Sequence, residues 1–394
     1  MFLPLVIAST LFVTGQGSSN VKGQTKWQQY QFETVLDGKK FGNVWPVPID
    51  VRENMDPHLI DFVVAGFGKC GTTYLQREIL YPSKRVFIPN REIHSLKNDN
   101  YKEFTAVFEN VTRLSQNKNN QAMRFGYKAP FELGHTRSLR NLETLFPDVR
   151  FIITLRHPVL RFESMYNFKL RQLPIDKILP VEEHIGQCGE GCYSSTLRSP
   201  RKSEDATVTW NFLQRCVRTF CTGRSNYHHY LSRLGLTPMN TSQELDLLDH
   251  HEMSIHRGWH SGFGSAPDSR RLFLLEIQQW DDDHLNPKMA DELVRDLESF
   301  LGLDAGDLPQ APFGRKKHNT YSAGRQQHVL DICLDKHQTV REILLKSARK
   351  ASKWINEYLL HPSNSNKVMV SNIDTFKRML NDWNTDPCSK QIIV

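Results

Sequence analysis

Hydrophobic and polar positions along the chain fall into two alternating patterns. Short, nearly continuous apolar runs stand at Ile60–Ala65, Val86–Ile88, Arg124–Lys128, Arg150–Leu155 and Arg271–Ile277. Their length and their lack of a polar face are those of strands buried on both sides. Between them lie longer stretches of helical period. One runs over Thr72–Leu80 and is stopped by Tyr81-Pro82-Ser83; others cover 101–116, Thr136–Phe146 and Leu160–Arg171. A helix opens at Asn286-Pro287 and ends at Gly302 after Leu301, and Gln326–Leu360 reads as largely helical. Strands that alternate with helices predict an α/β fold of three layers, a central parallel sheet flanked by helices. Residues 176–270, rich in Cys, Ser, Arg and His, break the pattern and read as long loops on the substrate side.

The same profile divides the 394 residues into segments. Met1 to Val13 is apolar and small residues follow, so 1–17 reads as a signal peptide or a truncated signal-anchor. Residues 18–55 are polar and read as a stem or linker, 56–362 as the folded domain, and 363–394 as a peripheral C-terminal tail. No later run has the roughly 18 uninterrupted apolar residues of a membrane span.

Charge and cysteine content narrow the setting. A formal net charge of +7 suits an anionic ligand, and without a long Lys/Arg run or a nucleic-acid module it does not point to nucleic acid. Seven cysteines and two sequons, at Asn110 and Asn240, fit the secretory route. Cys188, Cys192, Cys216 and Cys221 cluster, which reads as one or two disulfides, with a zinc site that includes His184 as the alternative. Cys70, Cys333 and Cys388 are dispersed.

Residues 61–80 carry the densest signal: a short strand, a glycine-punctuated turn and a helix start. This order forms an anion cradle, because backbone N–H groups and the positive end of the helix point into the turn. Gly66 and Gly71 keep the G-x-x-x-x-G frame of a P-loop, but Lys69 lies inside it and Thr72 and Thr73 follow directly, so the triphosphate form with its terminal G-K-[ST] is not present. A second signal runs from Arg150 to Arg171. Arg156 stands at the C-terminal edge of a strand, where ligands of open α/β sheets collect, and Ser164 follows eight residues later in a helix. A guanidinium and a hydroxyl so placed can hold a second phosphate.

With both segments in view, the chain resembles the PAPS-dependent sulfotransferases. G-F-G-K-C-G-T-T looks like their 5′-phosphosulfate loop, and L-R-H-P-V-L-R-F-E-S-M-Y looks like their 3′-phosphate motif. Within that family it is most similar to the Golgi and membrane carbohydrate branch of heparan-sulfate type. Asn90-Arg91-Glu92-Ile93-His94 resembles the segment that carries that branch's catalytic glutamate, with Ser95 and Leu96 in place of two phenylalanines. Gly126-Tyr127-Lys128-Ala129-Pro130 resembles the segment with a second active-site lysine, and Phe300-Leu301-Gly302-Leu303 a helix end near the cofactor loop. The family's C-terminal loop is matched best by Gly314-Arg315-Lys316-Lys317. That branch often has a cysteine pair there; here only Cys333 is near.

The resemblance implies a P-loop-like fold and a role for each residue. Gly66, Lys69, Gly71, Thr72 and Thr73 would bind the 5′-phosphosulfate, with Lys69 on the bridging oxygen. Arg156 and Ser164 would bind the 3′-phosphate, and Arg315 and Lys316 would cap the cofactor. Glu92 would be the base, its pKa raised by desolvation, with Lys128 beside the sulfuryl group. PAPS is the implied co-substrate, no metal is required, and the acceptor would be a hydroxyl or amino group on a glycan or polysaccharide in the Golgi lumen. The competing readings are a P-loop nucleotide kinase or hydrolase, and a non-catalytic secreted protein that binds polyanions on the same fold.

Overall fold

A computed structural model of the protein describes residues 47–115, 123–130, 132–172, 174, 180–181, 227–236, 271–280, 287–310 and 323–389. The cysteine cluster, Asn240, the Arg315–Lys316 loop, the apolar N-terminus and most of the 176–270 region lie outside these residues.

Six parallel strands form one sheet: β1 (Phe62–Val64), β2 (Val86–Phe87), β3 (Arg124–Lys128), β4 (Arg150–Leu155), β5 (Leu272–Glu276) and β6 (Val368–Val370), in the order β2-β3-β1-β4-β5-β6. Two-residue periodicity sorts their side chains onto two buried faces. Phe62, Val64, Ile152, Phe273 and Leu275 point to one core, and Val63, Phe151, Ile153, Leu272 and Leu274 to the other. This two-sided burial is why the strands read as unbroken apolar runs.

Helices cover both faces. On one, Leu75, Ile79 and Leu80 of α2 (Thr72–Leu80) and Leu293, Leu297 and Phe300 of α7 (Pro287–Leu301) close the first core. Helix α2 starts as Thr72–Tyr74 and widens into a π-helical stretch, Leu75–Leu80. On the other face lie α3 (Tyr101–Ser115), α4 (Thr136–Leu145), α6 (Tyr227–Ser232) and α8 (Gln338–Trp354). A third cluster joins Val159, Phe162 and Met165 of α5 (Pro158–Gln172) to Ile332, Leu344 and Leu345. Among the described residues no helix is long and apolar enough to cross a membrane. Asn110 of the first sequon lies within α3.

The folded unit extends beyond both boundaries expected from composition. Upstream, α1 (Ile49–Asn54) is flanked by Val47 and Met55, which are buried in the main core, so the last part of the expected stem belongs to the domain. Downstream, the expected peripheral tail supplies β6, paired with β5 through Leu272↔Val368 and Phe273↔Met369, and then α9 (Ile373–Asp382). The Asn372 side chain caps α9 by accepting a hydrogen bond from the Thr375 N–H, and Phe376, Leu380 and Trp383 are buried. Polar composition hid this segment because its one strand is three residues long and its helix buries a single stripe.

Residues 327–334, within a segment expected to be largely helical, form turns and irregular backbone instead, and a short 3-10 helix, Asp335–His337, leads into α8. Backbone groups of the turns are satisfied by α5: the Asn167 side chain both donates to the Leu330 carbonyl (2.9 Å) and accepts from its N–H (2.8 Å), and Glu163 accepts from Ile332 N–H (3.2 Å). The dispersed cysteines are also partly resolved by the fold. Cys333 and Cys388 form a disulfide across 55 residues, and Arg341 braces both ends, bonding the Ile332 and Leu334 carbonyls and the Asp386 carboxylate (2.9 Å). Cys70 is a buried free thiol.

Closing a loop of this length restricts the unfolded chain, so Cys388→Ala is expected to destabilise the protein by about 2–4 kcal/mol. Urea midpoints of the variant and of the wild type, each with and without reductant, check this: reductant should lower the wild-type midpoint by clearly more than the variant's.

Candidate active site

All six strands run in one direction, so their C-terminal ends share one edge of the sheet. The chain leaves β1 for β2 and β3 on one side and then crosses to β4, β5 and β6 on the other, which makes the β1/β4 junction the switch point where ligands of such sheets bind. The residues after β1, β3 and β4 supply the candidate site.

The turn after β1 exists because it lacks side chains at two places. A Cβ on Gly66 would lie 2.5 Å from the backbone nitrogen of Thr154 on β4, so only glycine lets the turn pass this close. Gly71 has φ +82° and packs against Ile277. Lys69 also adopts a left-handed conformation, φ 71°, at a cost on the order of 1 kcal/mol for a residue with a Cβ. Arg161, buried in α5, donates from Nε to the Gly68 carbonyl (3.1 Å) and lies against the rings of Phe67 and Tyr227.

Cations gather around this turn. The Lys69 ammonium sits 4.3 Å from the centre of the Phe168 ring, and the Arg171 guanidinium 5.6 Å from the same ring. Burial, then the nearby Arg171 and Arg156 charges, pull the Lys69 pKa from its ordinary 10.5 down to about 8, against smaller opposing effects of Cys70 and Glu92. Arg156 stands just past the end of β4. Ser164, Phe168 and Arg171 are spaced i, i+4, i+7 on α5, which aligns them along one helix face. Helix geometry therefore puts Ser164 on the stripe that faces the turn. Glu276, at the end of β5, is fully buried, and burial pushes its carboxyl up to about 7 against the stabilising effects of the Gln278 N–H and Arg156.

Glu92 and Lys128 meet from the other side. A parallel bridge pairs their backbones, with Ile93 N–H bonded to the Lys128 carbonyl (3.0 Å). Lys128 Nζ reaches Glu92 Oε1 at 3.3 Å and donates to Thr73 Oγ1 at 3.0 Å, which joins the carboxylate to the first turn of α2. His94 Nε2 lies 3.4 Å from Glu92 Oε2. The expected upward shift of Glu92 is not found. The hydrogen bond from His94 is the largest influence, and with Lys128 it outweighs desolvation and holds the carboxyl below the usual range. The side chain is 38 % exposed, too open for burial to dominate. Burial lowers the Lys128 pKa, with Glu92 opposing.

Gly66, Lys69, Gly71, Thr72, Thr73, Arg156, Ser164, Glu92 and Lys128 thus lie on or beside one edge of the sheet. Arg161, Phe168, Arg171 and Tyr227 were not singled out by sequence. Arg161 is legible in the spacing R-x-P-x-x-R after β4, and Phe168 and Arg171 in the helical period from Ser164. Tyr227 carries no local signal, because its helix lies in an irregular region.

No protein-family model matches the chain, and no curated protein sequence matches it. Among solved structures, it is similar to a sulfotransferase from Alicyclobacillus acidocaldarius, at 14 % sequence identity and a TM-score of 0.42, over 75 % of this chain and 96 % of that one. Similarity at that level decides nothing about activity, which rests on the residues themselves.

Proposed function

We propose that the protein is a sulfotransferase that moves the sulfuryl group of PAPS to a hydroxyl or amino group of a carbohydrate or polysaccharide acceptor. The observation that carries this reading is the joining of two cationic sites at one strand edge, Lys69 in a glycine turn and Arg156 beside the Ser164 stripe, with the Glu92–Lys128–Thr73 chain opposite. One phosphate needs only the first. A nucleotide with phosphate at both the 5′ and 3′ positions uses both.

The glycine turn approaches the 5′-phosphosulfate through backbone N–H groups, with Thr72 and Thr73 as hydroxyl donors. Lys69 neutralises charge that builds on the bridging oxygen as the S–O bond lengthens, and Lys128 does so beside the sulfuryl oxygens. Glu92 accepts the proton of the acceptor as its oxygen or nitrogen attacks in line, and 3′,5′-bisphosphate leaves. Because Glu92 is held ionised, it is a ready acceptor of modest basicity, so positioning must supply much of the rate. The Cys333–Cys388 disulfide supports a secretory-lumen location, and the apolar N-terminus supports delivery there through a signal peptide or anchor. A glycan acceptor and a Golgi site follow from the resemblance of the Glu92 and Lys128 segments to the carbohydrate branch.

Three results test this reading. Arg156→Ala should weaken binding of adenosine 3′,5′-bisphosphate about tenfold or more, measured by calorimetry; unchanged affinity overturns the role of Arg156. Glu92→Gln should lower transfer from PAPS to a responsive glycan by about 10²–10⁴-fold while bisphosphate affinity is kept, and full activity rules out Glu92 as base. Lys69, with its pKa lowered to about 8, is charged below that pH and loses its proton above it, well before an ordinary lysine. Bisphosphate affinity should therefore fall as pH rises through about 8, and Lys69→Arg, which stays charged, should remove that fall.

A further inference from the structure

Tyr227 is fully buried in the main core, yet its hydroxyl is not an idle polar atom there. It donates to the Arg156 carbonyl at 2.7 Å, and it lies 3.5 Å from the Cys70 sulfur. A phenol has one proton, and here the carbonyl takes it. The thiol, kept protonated because burial raises its pKa, has two acceptors in reach, the phenol oxygen at 3.5 Å and the Gly68 carbonyl at 4.0 Å. Cys70 lies between Lys69 and Gly71 in the glycine turn, and Arg156 is the first residue past β4. One hydroxyl therefore touches both halves of the anion site, from residues 157 and 71 positions away in sequence.

The ring reinforces the same link. It packs 4.5 Å from Phe67 of the turn and 5.4 Å from Trp383 of the C-terminal segment, with the Arg161 guanidinium 5.3 Å away. Arg161 in turn holds the Gly68 carbonyl. A residue needed only for packing could be phenylalanine, since the hydroxyl must be desolvated and is worth keeping only if its partners need holding.

We propose that Tyr227 is a positioning residue that ties the glycine turn to Arg156 and so sets the spacing between the 5′- and 3′-phosphate sites. This rests on the sulfotransferase reading and extends it. Tyr227 touches no ligand; it acts through the backbone from which the Arg156 side chain departs. Losing the hydroxyl leaves the Arg156 carbonyl without its partner and frees the strand end to shift relative to the turn. The contribution of the 3′-phosphate to binding should suffer, and that of the 5′-phosphate should not.

The test compares adenosine 3′,5′-bisphosphate with 5′-AMP as probes, by calorimetry on the full chain. Tyr227→Phe should weaken the bisphosphate about tenfold and 5′-AMP by less than about twofold. In an Arg156→Ala background the same substitution should have little further effect on either probe, because both changes act on one group. Equal losses for the two probes, or a full additional loss in the Arg156→Ala background, overturn the proposal and leave Tyr227 a core residue. Should Tyr227→Phe fail to fold, Cys70→Ala removes the contact from the turn side; a selective loss of bisphosphate affinity supports the link, and none overturns it. A wild-type protein that binds both probes equally overturns the sulfotransferase reading itself, and this inference with it, whereas a wild type that discriminates beside a Tyr227→Phe variant that discriminates equally well overturns the inference alone.

Discussion

The candidate site depends on one close approach, that of Gly66 to the backbone of Thr154. Strands β1 and β4 pair directly, and the chain must turn at the end of β1 without moving away from β4. Any side chain at Gly66 would force the turn off the sheet edge and separate Lys69 from Arg156. From this contact the rest follows: the turn passes over the switch point, Gly71 takes its left-handed conformation against Ile277, and α2 begins with its N-terminus aimed into the crevice. The strain in Lys69 is tolerated because the residues around it are fixed by the two cores and by Arg161.

Electrostatics set the readiness of the site. Burial first, and then repulsion from Arg171 and Arg156, depress the pKa of Lys69. An anionic ligand relieves that repulsion, so the same arrangement that is unfavourable in the free protein favours binding. Glu92 is balanced the other way, with two donors holding it ionised. Lys128 connects the two sides, bonded at once to the acid and to Thr73.

Support for the site comes from an unexpected part of the chain. The segment after α9 packs Trp383 against Tyr227 and near His157, and Thr385 accepts a hydrogen bond from His157 Nε2. Burial lowers the His157 pKa to about 4, so the ring is neutral, with Nδ1 free to accept from the Val159 N–H at the start of α5. The Cys333–Cys388 disulfide and Arg341 fasten this segment to the turns beside α5. The C-terminal segment thereby braces the backbone at Arg156 and His157.

The sequence by itself determined the features that depend on local pattern. Buried parallel strands announce themselves as short apolar runs because both faces need apolar side chains. The glycine turn is legible because its spacing is a backbone requirement, and Arg156 and Ser164 because a strand end and a helix period fix their separation. Tertiary structure alone decided the rest. The pKa of Glu92 moved down because His94 and Lys128 converge on it, which no local pattern shows. The strand β6 and the Cys333–Cys388 pair depend on partners far along the chain. Tyr227 became part of the site only because folding brought a helix from an irregular region between Cys70 and Arg156. Local sequence encodes backbone conformation and periodicity, whereas charge balance and long-range contacts are properties of residues that meet only in the folded chain.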